Sequence, residues 1–144
     1  TAWPVPLGKM ALFSLGLTSF KFDAREAMLS ALNFGSFRFF YKTVQIDVIL
    51  ASTDLEREAI RRRKKNLFLG KKICFPSPED LILFKLIAGR PRDILDAESI
   101  VLRHKGRLDK KYLKKWALRI CKKSQNPRVI DWLKERLGVV GKKK

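Results

Sequence analysis

One stretch, residues 77–100, constrains the fold more than any other part of the chain, and it reads SPEDLILFKLIAGRPRDILDAESI. Ser77 suits a helix N-cap, because its hydroxyl can accept a hydrogen bond from a free backbone amide. Pro78, which has no amide hydrogen to leave unpaired, suits the first turn. Gly89 can end this helix and Pro91 can begin the next. The stretch therefore predicts two consecutive helices joined by a tight turn.

Lys85 lies in the middle of the first of these helices, which is otherwise apolar nearly all round. An apolar helix of this kind is expected to be buried, and an unpaired ammonium group in its middle would be costly. Asp93 and Asp96 lie three residues apart on one face of the second helix. We therefore expect Lys85 to pair with one of these carboxylates across the turn.

The charge of the chain is its most unusual bulk property. The formal net charge is +18 over 144 residues, and residues 1–50 hold only five of the 32 lysines and arginines and three of the 14 acids. Such an excess favours polyanionic partners, and it places the basic surface in the later part of the chain. The length allows one core of ordinary size.

Cysteine and histidine are too few for several kinds of site. Two cysteines and one histidine make a disulfide framework or a Cys/His metal site improbable on numbers alone, so carboxylates must carry any metal. The apolar residues 11–17 are too short and too weakly flanked for a signal peptide, and no run approaches the length of a membrane span. We expect a reduced, cytoplasmic protein.

The first half of the chain predicts a helix over residues 23–32 followed by two strands that join near Lys42 and Thr43. In the second strand, alternate residues from Val44 to Leu50 form an apolar face, and Asp47 points away from it. Asp47 can be read as an exposed strand acid or as a metal ligand.

The middle and the end of the chain are rich in cations. A helix is expected over residues 55–65, with the run RRRKK in its last turns, followed by extended pieces over 67–69 and 72–75. In the second of the two helices predicted from residue 77 onwards, which continues to about residue 103, we expect Ile94, Leu95, Val101 and Leu102 to be buried.

Asp109 can cap a basic amphipathic helix, and a last helix begins near Pro127. The candidate nucleic-acid contacts on the basic helix are Lys111, Lys114, Lys115 and Lys122. Because the aromatic residues are expected in the core, binding should depend on phosphates and salt, with little base stacking.

Four strings in this order carry a family resemblance: VQIDVIL, LEREAIRRR, ICFPSPEDLILFKLIAGRPRDILD and LDKKYLKKWA. Over residues 25–120 the chain resembles the second half of a minimal nucleotidyltransferase of the polymerase-beta-like superfamily, in particular the AbiEii-type toxins. The resemblance implies an α/β or α+β fold with a mixed sheet, flanking helices and a helical C-terminal part. The implied organisation is a partial nucleotidyltransferase-like core over residues 1–76, with a helical part over residues 77–144 packed on it in a single compact domain.

The resemblance also implies roles for particular residues. Asp47 resembles the third metal-binding carboxylate of the family, which would hold Mg²⁺ or Mn²⁺. Lys85 and Asp93 resemble catalytic residues, and Lys85, Arg90 and Asp96 would contact the nucleotide. An ion pair of Lys85 with Asp93 or Asp96 that only joins two helices is an equally good reading of the same residues.

One family motif is missing. Residues 1–47 contain no Gly-Ser or Gly-Gly turn followed by an Asp-x-Asp pair, so the chain is either a truncated enzyme or a degenerate relative. The implied function is nucleotide transfer from a nucleoside triphosphate to an RNA or protein acceptor, incomplete or inactive in this chain. The alternative is a non-catalytic, basic RNA-binding or antitoxin-like module, with tRNA or another RNA, or a cognate toxin or antitoxin protein, as its partner.

Overall fold

The computed structural model describes residues 23–139. The chain folds into two compact units, and the boundary between them in the sequence lies between Thr53 and Asp54. The sequence had suggested a boundary after residue 76. We describe each unit by itself.

The first unit consists of one helix and one hairpin. Helix α1 spans Ala24–Phe34, and strands β1 and β2 span Ser36–Tyr41 and Val44–Ile49. The carboxylate of Asp23 caps α1 by accepting hydrogen bonds from the amides of Arg25 and Glu26, at 2.9 and 3.1 Å. Gly35 ends α1 in the left-handed conformation, with φ of 69°. The helix and the two joined strands predicted from the sequence are confirmed.

A small apolar core holds the first unit together. Ala27 and Ala31 of α1 are buried against Phe37 and Phe39 of β1. The predicted apolar face of β2 packs on the same cluster, through Ile46 and Val48 with Leu50 beyond the strand. Alternation along the strand therefore placed the core face correctly.

The second unit begins with helix α2, Asp54–Arg62, and a hairpin of β3, Lys64–Phe68, and β4, Lys71–Phe75. Four helices follow, and their bounds are α3 Pro78–Ala88, α4 Pro91–Arg103, α5 Lys110–Ser124 and α6 Arg128–Leu137. The Ser77 hydroxyl accepts a hydrogen bond from the Asp80 amide at 3.2 Å, and Asp109 caps α5 through the Tyr112 amide. Both predicted caps are confirmed.

The core of the second unit lies where the last four helices meet. Its fully buried members include Ile82 and Leu83 of α3, Leu113 of α5 and Leu133 of α6, and Leu55 of α2 joins the same cluster. Helix α3 is therefore the buried helix that its composition predicted.

The α+β class predicted from the sequence is confirmed. Within the described residues, however, the strands form two separate antiparallel sheets of two strands each instead of one mixed sheet. Each pair is joined by a two-residue turn, a link that closes an antiparallel hairpin, whereas parallel neighbours need a crossover of a dozen residues or more.

Two local predictions were wrong. Helix α2 ends at Arg62, and the basic run continues from Lys64 as strand β3 instead of as helix. In α4, Leu95 and Leu102 are 64% and 67% exposed, and Ala97 and Val101 form the buried face. The core stripe of α4 is thus narrower than its apolar content suggested.

Candidate functional site

The turn between α3 and α4 brings three of the predicted site residues together. Gly89 ends α3 with φ of 64°, and Pro91 begins α4 directly after Arg90. The ammonium group of Lys85 donates hydrogen bonds to Asp93 Oδ1 at 3.1 Å and to Asp96 Oδ2 at 2.7 Å. The contact predicted across the turn is therefore present with both carboxylates. We call Lys85, Arg90, Asp93 and Asp96 the Lys85 cluster.

Arg90 completes this cluster. Its Nε donates a hydrogen bond to Asp93 Oδ2 at 2.6 Å, so both oxygens of the buried Asp93 carboxylate face a cation. The hydrogen bonds from Arg90 and then Lys85 lower the pKa of Asp93 below its ordinary value. The hydrogen bonds to Asp96 and Asp93 raise the pKa of Lys85. Two cations and two carboxylates give the cluster no net charge.

A neutral cluster limits what these residues can do with a phosphate. Lys85 keeps 29% of its side chain exposed, but its donors point at two carboxylates. A phosphate that approached Lys85 would therefore compete with Asp96, whose side chain is 44% exposed. These ion pairs join α3 to α4, and because the cluster has no net charge it attracts anions only weakly.

Asp47 lies in the first unit, on β2, away from the apolar face as predicted. Its carboxylate accepts hydrogen bonds from Arg38 Nε at 2.6 Å and from Gln45 Nε2 at 3.2 Å. The hydrogen bond from Arg38 is the main cause of its lowered pKa. Asp47 and the Lys85 cluster belong to different units, and a common site that combines their implied roles stays a prediction.

The described residues do not fit the implied Mg²⁺ or Mn²⁺ by themselves. Between residues 23 and 139 there is no group of three or more His, Cys, Asp or Glu side chains that could hold a metal ion. Asp47 faces a guanidinium group instead of a second carboxylate. Magnesium prefers several oxygen ligands in an octahedral arrangement, so the metal stays a prediction that requires further ligands.

Helix α5 displays the predicted basic surface. Its 15 residues hold six lysines and one arginine and no acid, and its buried side chains are Tyr112, Leu113, Trp116 and Ala117. Of the four predicted nucleic-acid contacts, Lys111, Lys115 and Lys122 are exposed and Lys114 is half-buried. None of the four forms an ion pair with another described residue. The helix therefore carries a clear excess of positive charge on its exposed face.

A second basic surface was missed in the sequence. All ten strand residues of the β3–β4 hairpin are exposed, and they include four lysines together with Leu67 and Phe68. The prediction that the aromatic residues lie in the core is wrong for Phe68, which is 55% exposed. The signal was available in the string KKNLFLGKKICF, where a glycine separates two runs that each combine lysines with apolar residues.

Comparison of the chain with protein-family models, with curated proteins and with solved structures gave no match. The resemblance to nucleotidyltransferases therefore rests on the sequence strings quoted above. None of the helices between residues 23 and 139 is long and apolar enough to cross a membrane.

Proposed function

We propose that this chain is a basic RNA-binding module that binds its partner mainly through phosphates. The observation that carries the proposal is the outer face of α5, where Lys111, Lys115 and Lys122 are exposed and form no ion pair with another described residue. Lysines on a rigid helix neutralise phosphates and release condensed counterions, which supplies most of the sequence-independent affinity for nucleic acids.

The contrast with the Lys85 cluster supports this choice. The cations of that cluster are neutralised by Asp93 and Asp96, whereas α5 contains no acid of its own. A polyanion therefore gains more from α5 than from the turn between α3 and α4. The net charge of +18 acts in the same direction by steering polyanions towards the chain.

The test is the anisotropy of a labelled RNA, titrated with the chain at several salt concentrations. The double variant Lys111→Glu/Lys122→Glu should bind more weakly, and its plot of log affinity against log salt should flatten by about 0.7 for each phosphate that is no longer neutralised. The control, Arg25→Glu/Lys42→Glu, changes the net charge by the same amount on exposed residues of the first unit. Binding that ignores salt, or an equally weakened affinity in both variants, would contradict a phosphate surface on α5.

A specific observation also favours a second function, nucleotide transfer. Lys85, Arg90, Asp93 and Asp96 retain the order of the family motif and meet within hydrogen-bond distance. In this proposal the chain is the second half of a nucleotidyltransferase that uses a nucleoside triphosphate and an RNA or protein acceptor. Its metal would need the Asp-x-Asp pair in addition to Asp47. A cognate toxin or antitoxin protein would be a natural partner of such an enzyme.

The two functions can be separated by labelled nucleotide incorporation in the presence of Mg²⁺ or Mn²⁺. We expect none from the 144-residue chain, because a single carboxylate cannot hold the two metal ions that clamp the attacking and leaving oxygens. If a coding segment upstream supplies the acid pair, the extended chain should label RNA or protein, and Asp47→Ala or Lys85→Ala should abolish the signal. An extended chain that labels nothing would leave the RNA-binding module alone.

A further inference from the structure

The β3–β4 hairpin is a basic ribbon with an apolar tip. Leu67, Phe68 and Leu69 are 73%, 55% and 88% exposed, and Leu69 and Gly70 form the turn with positive φ angles of 49° and 76°. A two-stranded hairpin is marginally stable alone, and neighbouring apolar side chains left in water are typical of an interaction site. The hairpin therefore has the composition of a binding element.

The pairing register places a cation beside almost every apolar side chain of the hairpin. Phe68 faces Lys71, Leu67 faces Lys72, and Lys64 faces Phe75 across the two strands. Residues that face each other directly have Cβ atoms about 5 Å apart on the same side of the ribbon. A planar apolar group that packs on Phe68 would thus bring an attached anion within reach of the long Lys71 side chain.

Positive charge continues from the base of the hairpin into an adjoining cleft of about 570 Å³. Its lining includes three cations, Lys64, Arg103 and Arg107, over an apolar floor that contains Phe75 and Leu81. The lining acid, Glu79, is already engaged by the Asp109 amide at 2.9 Å and lies 3.6 Å from Arg62. The three cations form no ion pair with another residue between 23 and 139.

We propose that the β3–β4 hairpin and this cleft bind a single strand of RNA, with bases stacked on Phe68 and phosphates on the flanking lysines and arginines. The inference rests on the proposed RNA-binding function and names the element that would hold unpaired bases. Charge complementarity selects the occupant, because the hairpin and the cleft offer several unpaired cations and their lining acid is already engaged. The sequence segments 1–22 and 140–144 contain lysines and no acids, so they are poor occupants of the same surface.

The exposed phenyl ring favours a single strand over a duplex. Bases in a duplex already stack on their neighbours, whereas an unpaired base offers a free face to an aromatic side chain. Stacking of this kind tolerates any base and depends on salt through the adjacent phosphates. The hairpin combines both elements of such recognition within one cross-strand pair, Phe68 and Lys71.

The test measures binding of a labelled single-stranded RNA by the whole chain at fixed salt. Phe68→Ala should weaken binding roughly 5- to 140-fold, the range for loss of one stacked base. The matched control is Phe40→Ala, because Phe40 is 58% exposed on the hairpin of the first unit and should not affect binding. Lys71→Glu/Lys72→Glu should lower the affinity and flatten the plot of log affinity against log salt. The variant Arg25→Glu/Lys42→Glu controls for the change in net charge.

Photo-cross-linking locates the bound RNA directly, so its result does not depend on how a substitution affects folding. A photoreactive phenylalanine analogue at position 68 should cross-link to the RNA, and the same analogue at position 40 should not. Unchanged affinity of Phe68→Ala together with no cross-link at position 68 would overturn the hairpin site, while the module itself would survive if Lys111→Glu/Lys122→Glu still weakens binding. Tighter binding to duplex RNA, to an acidic protein or to anionic vesicles would overturn the single-strand assignment. A chain that binds no RNA would overturn both proposals.

Discussion

The hydroxyl group of Tyr112 on α5 donates a hydrogen bond to Oδ1 of Asp80, a fully buried carboxylate on α3. The second oxygen of Asp80 accepts a hydrogen bond from the Ser77 hydroxyl at 2.6 Å and lies 3.4 Å from Arg62 Nε. The Arg62 guanidinium also covers the Tyr112 ring, 3.7 Å from its centroid. Through these contacts the buried Asp80 carboxylate links helices α2, α3 and α5.

We predict that Tyr112→Phe destabilises the second unit by about 1–3 kcal/mol, because it removes one hydrogen bond from a buried carboxylate. Urea unfolding followed by tryptophan fluorescence measures the change. Ser124→Ala is the control on the same helix, since it removes an exposed hydroxyl that donates to the Ile120 carbonyl, and it should shift the free energy of unfolding by less than about 0.5 kcal/mol. Equal effects in both variants would contradict a special role for the buried pair.

Alkaline pH should weaken the same connection. Burial, together with the hydrogen bond to Asp80, raises the pKa of Tyr112 above its ordinary value of 10.0. Because the pKa of Tyr112 is higher in the folded state than in the unfolded state, the protonated hydroxyl stabilises the fold at pH values below the unfolded pKa. This stability is lost as the pH rises from the unfolded pKa through the folded pKa. The advantage in melting temperature of the native chain over Tyr112→Phe should therefore shrink above about pH 10. A constant difference across this pH range would argue against a protonated, buried Tyr112.

Removal of Arg90 should raise the pKa of Asp93 more than removal of Lys85. The Arg90 hydrogen bond, at 2.6 Å, is the largest cause of the lowered pKa, and the longer Lys85 hydrogen bond comes second. Carboxyl NMR titrations of Arg90→Gln and Lys85→Gln measure the order directly. The lowered pKa of Asp93 stabilises the fold at pH values above the pKa of an unfolded aspartate, about 4, and this stability is lost as the pH falls further. The free energy of unfolding of the native chain should therefore drop more steeply below about pH 4 than that of Asp93→Asn. The reverse order of the two shifts would contradict the geometry.

Gly89→Ala should destabilise the second unit more than Gly138→Ala. Both glycines end a helix with positive φ, 64° and 60°, so both substitutions carry the conformational cost of about 1–2 kcal/mol. Only at Gly89 would the new Cβ collide with the Arg128 guanidinium, whose Nη2 donates to the Leu86 carbonyl at 3.3 Å. Displacement of this flexible guanidinium should add about 0.5–1.5 kcal/mol because its hydrogen bond would break. Arg128→Ala should abolish the difference between the two alanine variants, as measured by urea unfolding.

Local signals in the sequence determined much of the helical framework. Ser77, Gly89 and Pro91 bound the two central helices because caps, left-handed glycines and N-terminal prolines act within a few residues of the chain. The same short range made the contact of Lys85 with Asp93 and Asp96 predictable, since a tight turn must bring the ends of consecutive helices together. The alternation in β2 likewise located the core face of the first unit.

Features that depend on long-range packing could not be read in this way. The string RRRKK favours a helix by its local propensity. Only the pairing of Lys64 and Lys65 with β4 makes the last two residues of the string part of strand β3. Leu95 and Leu102 lie on a helix with more apolar residues than its neighbours can cover. Helix packing determines that Ala97 is buried and that Leu95 and Leu102 are exposed. Sequence periodicity alone does not show which face of the helix its neighbours cover.

The sequence by itself determined the strong positive charge, the α+β class and the position of the Lys85 cluster. Only the tertiary structure decided that this cluster is electrically neutral, that Asp80 is buried beneath Tyr112, and that the β3–β4 hairpin exposes Phe68 between lysines. Each of these depends on which side chains meet in the folded chain and on which of them stay uncovered. The free energy of a charged or aromatic side chain is set by those surroundings, whereas local chain geometry fixes only where an element begins and ends.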